Sequence, residues 1–249
     1  MDKTDKLVEI IERLNSGENP QTVKGDAQDF LAGLKAEDLS FAEQKLIEAG
    51  MKPEDLRHLC SIHMEMLKDE VAKMTGKLEK DHVITTMVKE HEILLCFIDK
   101  LEELNVKLQK QESYDENSDI YKFIAENAQN LLDGELHHQR EEKVLFPAVE
   151  AKGVTGPTRV MVREHEDLRR YKTDVRDLAQ NVSNANFTEF KDRVSAAIKI
   201  LTMMLRDHIF KENNILYPAC VEMITDKKQW QKIKADCDKV GYCKFTPGK

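Results

Sequence analysis

Residues 137–147 read HHQREEKVLFP, and residues 208–218 read HIFKENNILYP. Both stretches hold a His-x-x-x-Glu pair that ends in Leu-aromatic-Pro. A second pair of segments repeats upstream of them, MVKEHEIL at 87–94 and MVREHEDL at 161–168. Each half of the region therefore supplies one lone histidine followed by a His/Glu pair. Residues four apart share a helix face, so each pair can turn toward one ion. Four consecutive helices with these residues inward build a dinuclear metal site of four histidines and two glutamates in the core of a bundle.

The repeat also fixes a register. His137 and His138 each begin a His-x-x-x-Glu, with Glu141 and Glu142 as partners. In the second half His208 lies ten residues before Pro218 and Glu212 lies six before it. The same spacing counted back from Pro147 selects His137 and Glu141. His138 and Glu142 then point about 100° around the helix, toward the bundle edge or behind the ligands. A single His-x-x-x-Glu is ordinarily a solvated pair, and a lone histidine is ordinarily a packed one. The ordered repetition of both is what points to metal.

Imidazole and carboxylate donors together suit iron, manganese or zinc rather than calcium or magnesium, which take all-oxygen shells. Six ligands serve two ions, with Glu141 and Glu212 between them and two histidines on each. Such a set leaves coordination positions open, and on redox-active iron those are where O₂, NO, peroxide or hydroxide could bind. A structural zinc closes its shell with four ligands. No cysteine cluster is present for an iron–sulfur site.

Outward from these motifs the chain reads as helix. Periodic apolar positions predict four long helices over 81–110, 119–150, 157–181 and 187–224, joined by short polar breaks, with Pro147 and Pro218 near helix ends. A short helix over 226–238 and a polar tail follow. Residues 1–76 read as a small helical domain, with a first stripe of Leu7, Ile10, Ile11 and Leu14 and later helices over 36–49 and from Pro53. A bend is expected at Thr75-Gly76. The division is 1–76, 79–225 and 226–249, and the fold class is all-α, a four-helix up-down bundle behind a small helical domain.

Of 249 residues 34% are charged, with a formal net charge of −8, which excludes a basic nucleic-acid surface. No apolar run is long enough to span a bilayer, so no membrane role is expected. A polar N-terminus without a signal pattern sets the cytoplasm as the expected location. Five scattered cysteines are expected reduced, with Cys96 and Cys220 as core residues and Cys237 and Cys243 of low functional weight.

The ordered motifs resemble the hemerythrin-like HHE cation-binding family over roughly 79–224. The resemblance extends to residues that are not ligands, such as Leu-Phe-Pro and Asn-Asn-x-Leu-Tyr-Pro. It implies a four-helix bundle around two non-heme iron ions with oxo or hydroxo and carboxylate bridges. It implies the same ligand set: His91, His137, Glu141, His165, His208 and Glu212.

Oxygen-carrying hemerythrins have a further histidine one turn after the third-helix one, where this chain has Arg169. Their last helix carries His-x-x-x-x-Asp, whereas this one carries His-x-x-x-Glu. The four-His, two-Glu set is instead similar to di-iron proteins that repair iron–sulfur clusters under oxidative or nitrosative stress. In that setting Glu164 and Asp133 are candidate supporting or iron-path carboxylates. Iron–sulfur proteins are the partners implied. An O₂ or NO sensor or carrier without turnover is the alternative.

Those repair proteins carry a vicinal cysteine pair near the N-terminus, which this chain lacks. Residues 1–75 resemble a helical domain of unknown function often fused to HHE domains. Cys60 and His63 share a helix face there as a candidate thiol/imidazole site, while His58 and His82 are read as non-ligands.

Overall fold

The computed structural model of the chain describes residues 3–19, 22–23, 26–27, 30, 45, 48, 50, 74–182 and 186–249. Among them every regular element is helical. The expected helices over 36–49 and from Pro53 lie almost wholly outside the described residues. So do His58, Cys60 and His63. The first stripe forms helix α1 (Lys3–Asn15), on which Ile10 is buried.

Four helical columns form the bundle. The first is α2 (Val83–Gln109). The second is broken into α3 (Ile120–Leu132), α4 (Glu135–Arg140), a π-turn at Glu141–Leu145 and α5 (Phe146–Glu150). The third is α6 (Gly156–Gln180). The fourth is α7 (Phe187–Lys211), a π-turn at Glu212–Leu216 and α8 (Tyr217–Met223). Short connections make neighbours antiparallel, and α7 returns to pack on α2, which closes the ring. Side-chain caps start three helices: His82 Nδ1 accepts from Ile84 N, Asn186 from Thr188 N, and Asp226 from Lys228 N. The last of these opens α9 (Lys227–Val240).

The apolar stripe of α2 runs Leu94, Ile98, Leu101, Leu104 and Leu108 into one core with Leu131, Leu168, Val175, Ile198 and Leu205. A second core at the other end gathers Ile84, Met87, Leu145, Phe146, Leu216 and Tyr217. The polar residues of the repeat lie in the layer between these cores, and two apolar plugs therefore keep water from them.

Both prolines act one step earlier than a simple helix stop. Proline has no N–H and its ring crowds the carbonyl four residues back, so the turn before it cannot keep α geometry. The turns widen instead: Phe146 N–H donates to Glu141 O and Tyr217 N–H to Glu212 O, each five residues back. Each widened turn begins at a glutamate of the repeat.

The second column also breaks at Asp133-Gly134. A Cβ on Gly134 would meet Leu131 O at 3.1 Å and Leu94 Cδ2 at 3.3 Å, so a side chain there would be crowded by the turn before it and by α2. Two sequence expectations are corrected. Cys96 is exposed rather than in the core, because it lies on the outward face of α2, two residues after Leu94. The tail after α9 is not a loose polar end: Cys243 and Thr246 are buried, and Phe245 sets its ring edge against Phe97. No helix among the described residues is long and apolar enough to cross a membrane.

Candidate metal centre

All six residues singled out by the repeat meet in one buried layer, each about 1% exposed or less. His91 Nε2 and His137 Nε2 are 2.9 Å apart, and His165 Nε2 and His208 Nε2 are also 2.9 Å apart. Two nitrogens that bind one ion at right angles, each at roughly 2.0–2.1 Å, stand about 2.9 Å from each other. The two glutamates straddle these pairs. Glu212 places Oε2 3.1 Å from His91 Nε2 and Oε1 2.8 Å from His208 Nε2. Glu141 places Oε2 3.7 Å from His137 Nε2 and 3.5 Å from His165 Nε2.

The same layer contains three buried carboxylate oxygens, Glu141 Oε2 and both oxygens of Glu212, that have no hydrogen-bond partner outside the layer itself. A buried oxygen left in this way costs free energy unless a cation takes the place of the missing donor. Three overlapping groups of donor atoms come within 4.8 Å of one another: His91, His137 and Glu212; Glu141, His165 and Glu212; and His138, His165 and His208. The residues present fit metal ions.

Every inward histidine is steered from behind. His137 Nδ1 donates to Glu90 at 2.6 Å and His208 Nδ1 to Glu164 at 2.9 Å. His165 Nδ1 donates to Glu142 at 2.7 Å, and His91 Nδ1 to Asn213 Oδ1 at 2.8 Å. With a proton fixed on Nδ1, each Nε2 faces the centre, and His208 offers its lone pair there once its second proton has left. A third layer holds the carboxylates. Arg140 and Thr246 donate to Glu90, and Lys211 donates to Glu164. Arg140 and Lys211 are each three residues after their histidine, so the repeat reaches this layer too.

The charges follow from this layout. Burial would raise the Glu90 and Glu164 carboxyls, but hydrogen bonds from His137 and His208 and the nearby cations hold both at about 2. Burial and the charge of Glu212 push Glu141 well above the carboxylate range. Burial lowers His137 to about 4, whereas Glu212 and Glu164 outweigh burial at His208 and raise it to about 9.

One contact breaks the symmetry of the halves. Tyr217 stacks on His91 at 5.6 Å between ring centres, and its hydroxyl donates to Glu141 Oε1 at 2.6 Å. Its counterpart Phe146 stacks on His165 but has no hydroxyl. Sequence reasoning missed Tyr217, Glu90, Arg140 and Thr246. The Glu-His doublet in both halves was the one available signal for Glu90.

Glu164 stands behind a histidine as expected, but Asp133 does not. It pairs with Lys244 and Gln129 on the flank of the bundle. Glu142 is behind the ligands, as the register required. His138, expected at the bundle edge or behind the ligands, is 2% exposed and stacks on His165 with ring centres 4.0 Å apart. His82 is a helix cap against Trp230 and takes no part in the site.

Among known families, residues 82–220 match the hemerythrin HHE cation binding domain, and residues 7–73 match a family of unknown function, DUF438. No curated protein matches the chain. The first match spans more than half of the sequence, ends two residues past Pro218, and contains all six residues of the inward layer. The chain belongs to the hemerythrin HHE cation-binding family.

Proposed function

We propose that residues 79–225 hold two iron ions, one at His91 and His137 and one at His165 and His208, with Glu141 and Glu212 bridging. The observation that carries this reading is the trio of buried carboxylate oxygens that face four imidazole nitrogens and have no partner outside the layer. Imidazole with carboxylate suits iron, with manganese or zinc as weaker alternatives. Iron supplies electrons and open positions for O₂, NO or peroxide.

The chain's own residues prepare this place. Glu90, Glu142, Glu164 and Asn213 keep the Nδ1 protons outward. Tyr217 ties down one oxygen of Glu141, which leaves the other to face the ions. Leu94, Leu145, Phe146 and Leu168 line the buried surroundings and exclude water. Such a centre suits a protein of the oxidative and nitrosative stress response, one that serves iron–sulfur cluster repair or handles NO and peroxide.

Elemental analysis of anaerobically purified protein tests the reading, with about two irons per chain expected for a two-ion bundle site. O₂ and then NO are titrated while the optical spectrum is followed. Irreversible oxidation or release of iron to an apo-cluster acceptor supports repair, and a reversible band supports a sensor or carrier. One tightly held zinc, or no metal, sinks the reading.

A further inference from the structure

The two carboxylates behind His137 and His208 are held by different parts of the chain. Glu164 takes its donors from α7: His208 Nδ1 on Oε2 at 2.9 Å, and Lys211 Nζ on Oε1. Glu90 takes two donors from the second column, but both land on one oxygen. His137 Nδ1 donates to Oε2 at 2.6 Å, and Arg140 Nη2 donates to that same atom. Arg140 stands three residues after His137, as Lys211 stands three after His208, yet it leaves Oε1 of Glu90 unserved. Thr246 Oγ1 donates to that oxygen from 156 residues away in sequence. In one half, then, Thr246 does what Lys211 does in the other.

Thr246 belongs to the segment that follows α9. Gly241 turns the chain out of that helix with φ of +98°, a conformation that L side chains rarely adopt. The next residues run back over α4 and α2. Tyr242 lays its ring 4.7 Å from the Arg140 guanidinium, and Cys243 Sγ lies 4.0 Å from Arg140 Nη2. Phe245 meets Phe97 of α2 edge to face, with ring centres 5.6 Å apart. Cys243 and Thr246 are each 4% exposed. The stretch is turn and coil, so side-chain contacts rather than a helical ladder hold it in place.

Glu90 is wholly buried, so its carboxylate cannot replace a lost donor with water. Without the Thr246 hydroxyl it must turn to find another, and the His137 ring bonded to it turns with it. The Nε2 of His137 then leaves its line toward the centre. His208 does not feel this change, because the donors to Glu164 stand on α7.

We propose that Thr246 is a positioning residue for the His91/His137 position of the centre, and that residues 242–246 act as a latch over that position alone. With the latch closed, Glu90 and His137 are fixed and the first ion is held tightly. With it open, that ion leaves more readily than the one at His165 and His208. This inference rests on the proposed metal centre, and its test reads the latch both with and without metal.

The full chain is loaded with iron, and release to a ferrous-iron chelator is followed anaerobically. Thr246→Val keeps the shape of the side chain and removes only the hydroxyl. Release of one iron should become about tenfold faster, the size of one hydrogen bond to a charged group, while release of the other is unchanged. Thr246→Ser, which keeps the hydroxyl, should restore the slow release. In metal-free protein, alkylation of Cys243 is read by peptide mass mapping. It should be faster in Thr246→Val than in the unaltered chain, and slow again in Thr246→Ser. Unchanged release or unchanged alkylation in Thr246→Val overturns the proposal. A loss that falls on both irons alike, or that Thr246→Ser does not undo, marks a merely structural role and overturns it too. Absence of iron before the chelator is added counts against the metal centre, and the alkylation of Cys243 still decides whether Thr246 holds the latch.

Discussion

His165 in the second half of the repeat donates its Nδ1 proton to Glu142 in the first half, at 2.7 Å. His91 is held in the same crossed fashion by Asn213, the neighbour of Glu212. The residue after each inward glutamate thus steers a histidine of the opposite half. Glu142 is itself gripped by Arg169 at 2.7 Å, the residue that stands where oxygen carriers have a further histidine.

Glu142→Gln should therefore weaken metal retention by about 10–100-fold, the usual cost of removing an outer partner of a ligating histidine. Competition with a chelator measures it. Unchanged retention would mean that Glu142 is only a surface ion-pair partner of Arg169.

The register itself is open to a direct comparison. His137→Ala and Glu212→Ala should each lower metal content sharply, because both side chains face the centre. His138→Ala should leave it nearly unchanged. Equal losses in the two histidine variants would show that His138 is a ligand.

Metal uptake should expel protons at neutral pH. His208 is raised to about 9 in the metal-free layer, so it holds a proton at pH 7. Burial beside Glu212 makes Glu141 keep its proton to a higher pH than an ordinary carboxyl. Those protons must leave before the atoms can bind an ion, and metal affinity should therefore rise with pH up to about 9. Calorimetry in buffers of different ionisation enthalpy counts the protons. An affinity flat between pH 6 and 9 would contradict the buried layout.

Arg140→Met should destabilise the metal-free chain by about 3–5 kcal/mol, because it strands the Glu90 carboxylate in the core. The double variant with Glu90→Gln should recover much of this. Urea unfolding decides between this account and one in which the arginine contributes only packing, where the second substitution would restore nothing.

The architecture and the inward layer were legible because a repeated register carries its own control. Counting back from proline turned His137 inward, where it meets His91, while His138 is buried against His165. The supporting layer was harder to read, since Glu90 meets Arg140 and Thr246 across long separations in the chain. No local pattern encodes such meetings. Cys96 shows the limit of composition: an apolar neighbourhood in sequence does not say which way a helix position points. The tail shows another, because Thr246 looks like a solvent residue until Glu90 is brought beside it.

The widened turns before Pro147 and Pro218 have a consequence for the life of the centre. They arise from a missing N–H, a property of covalent structure that no ion, oxidant or change of acidity can alter. The two glutamates that begin those turns are thus set by the backbone, and a cation that enters the layer need not rewind the helices to meet them.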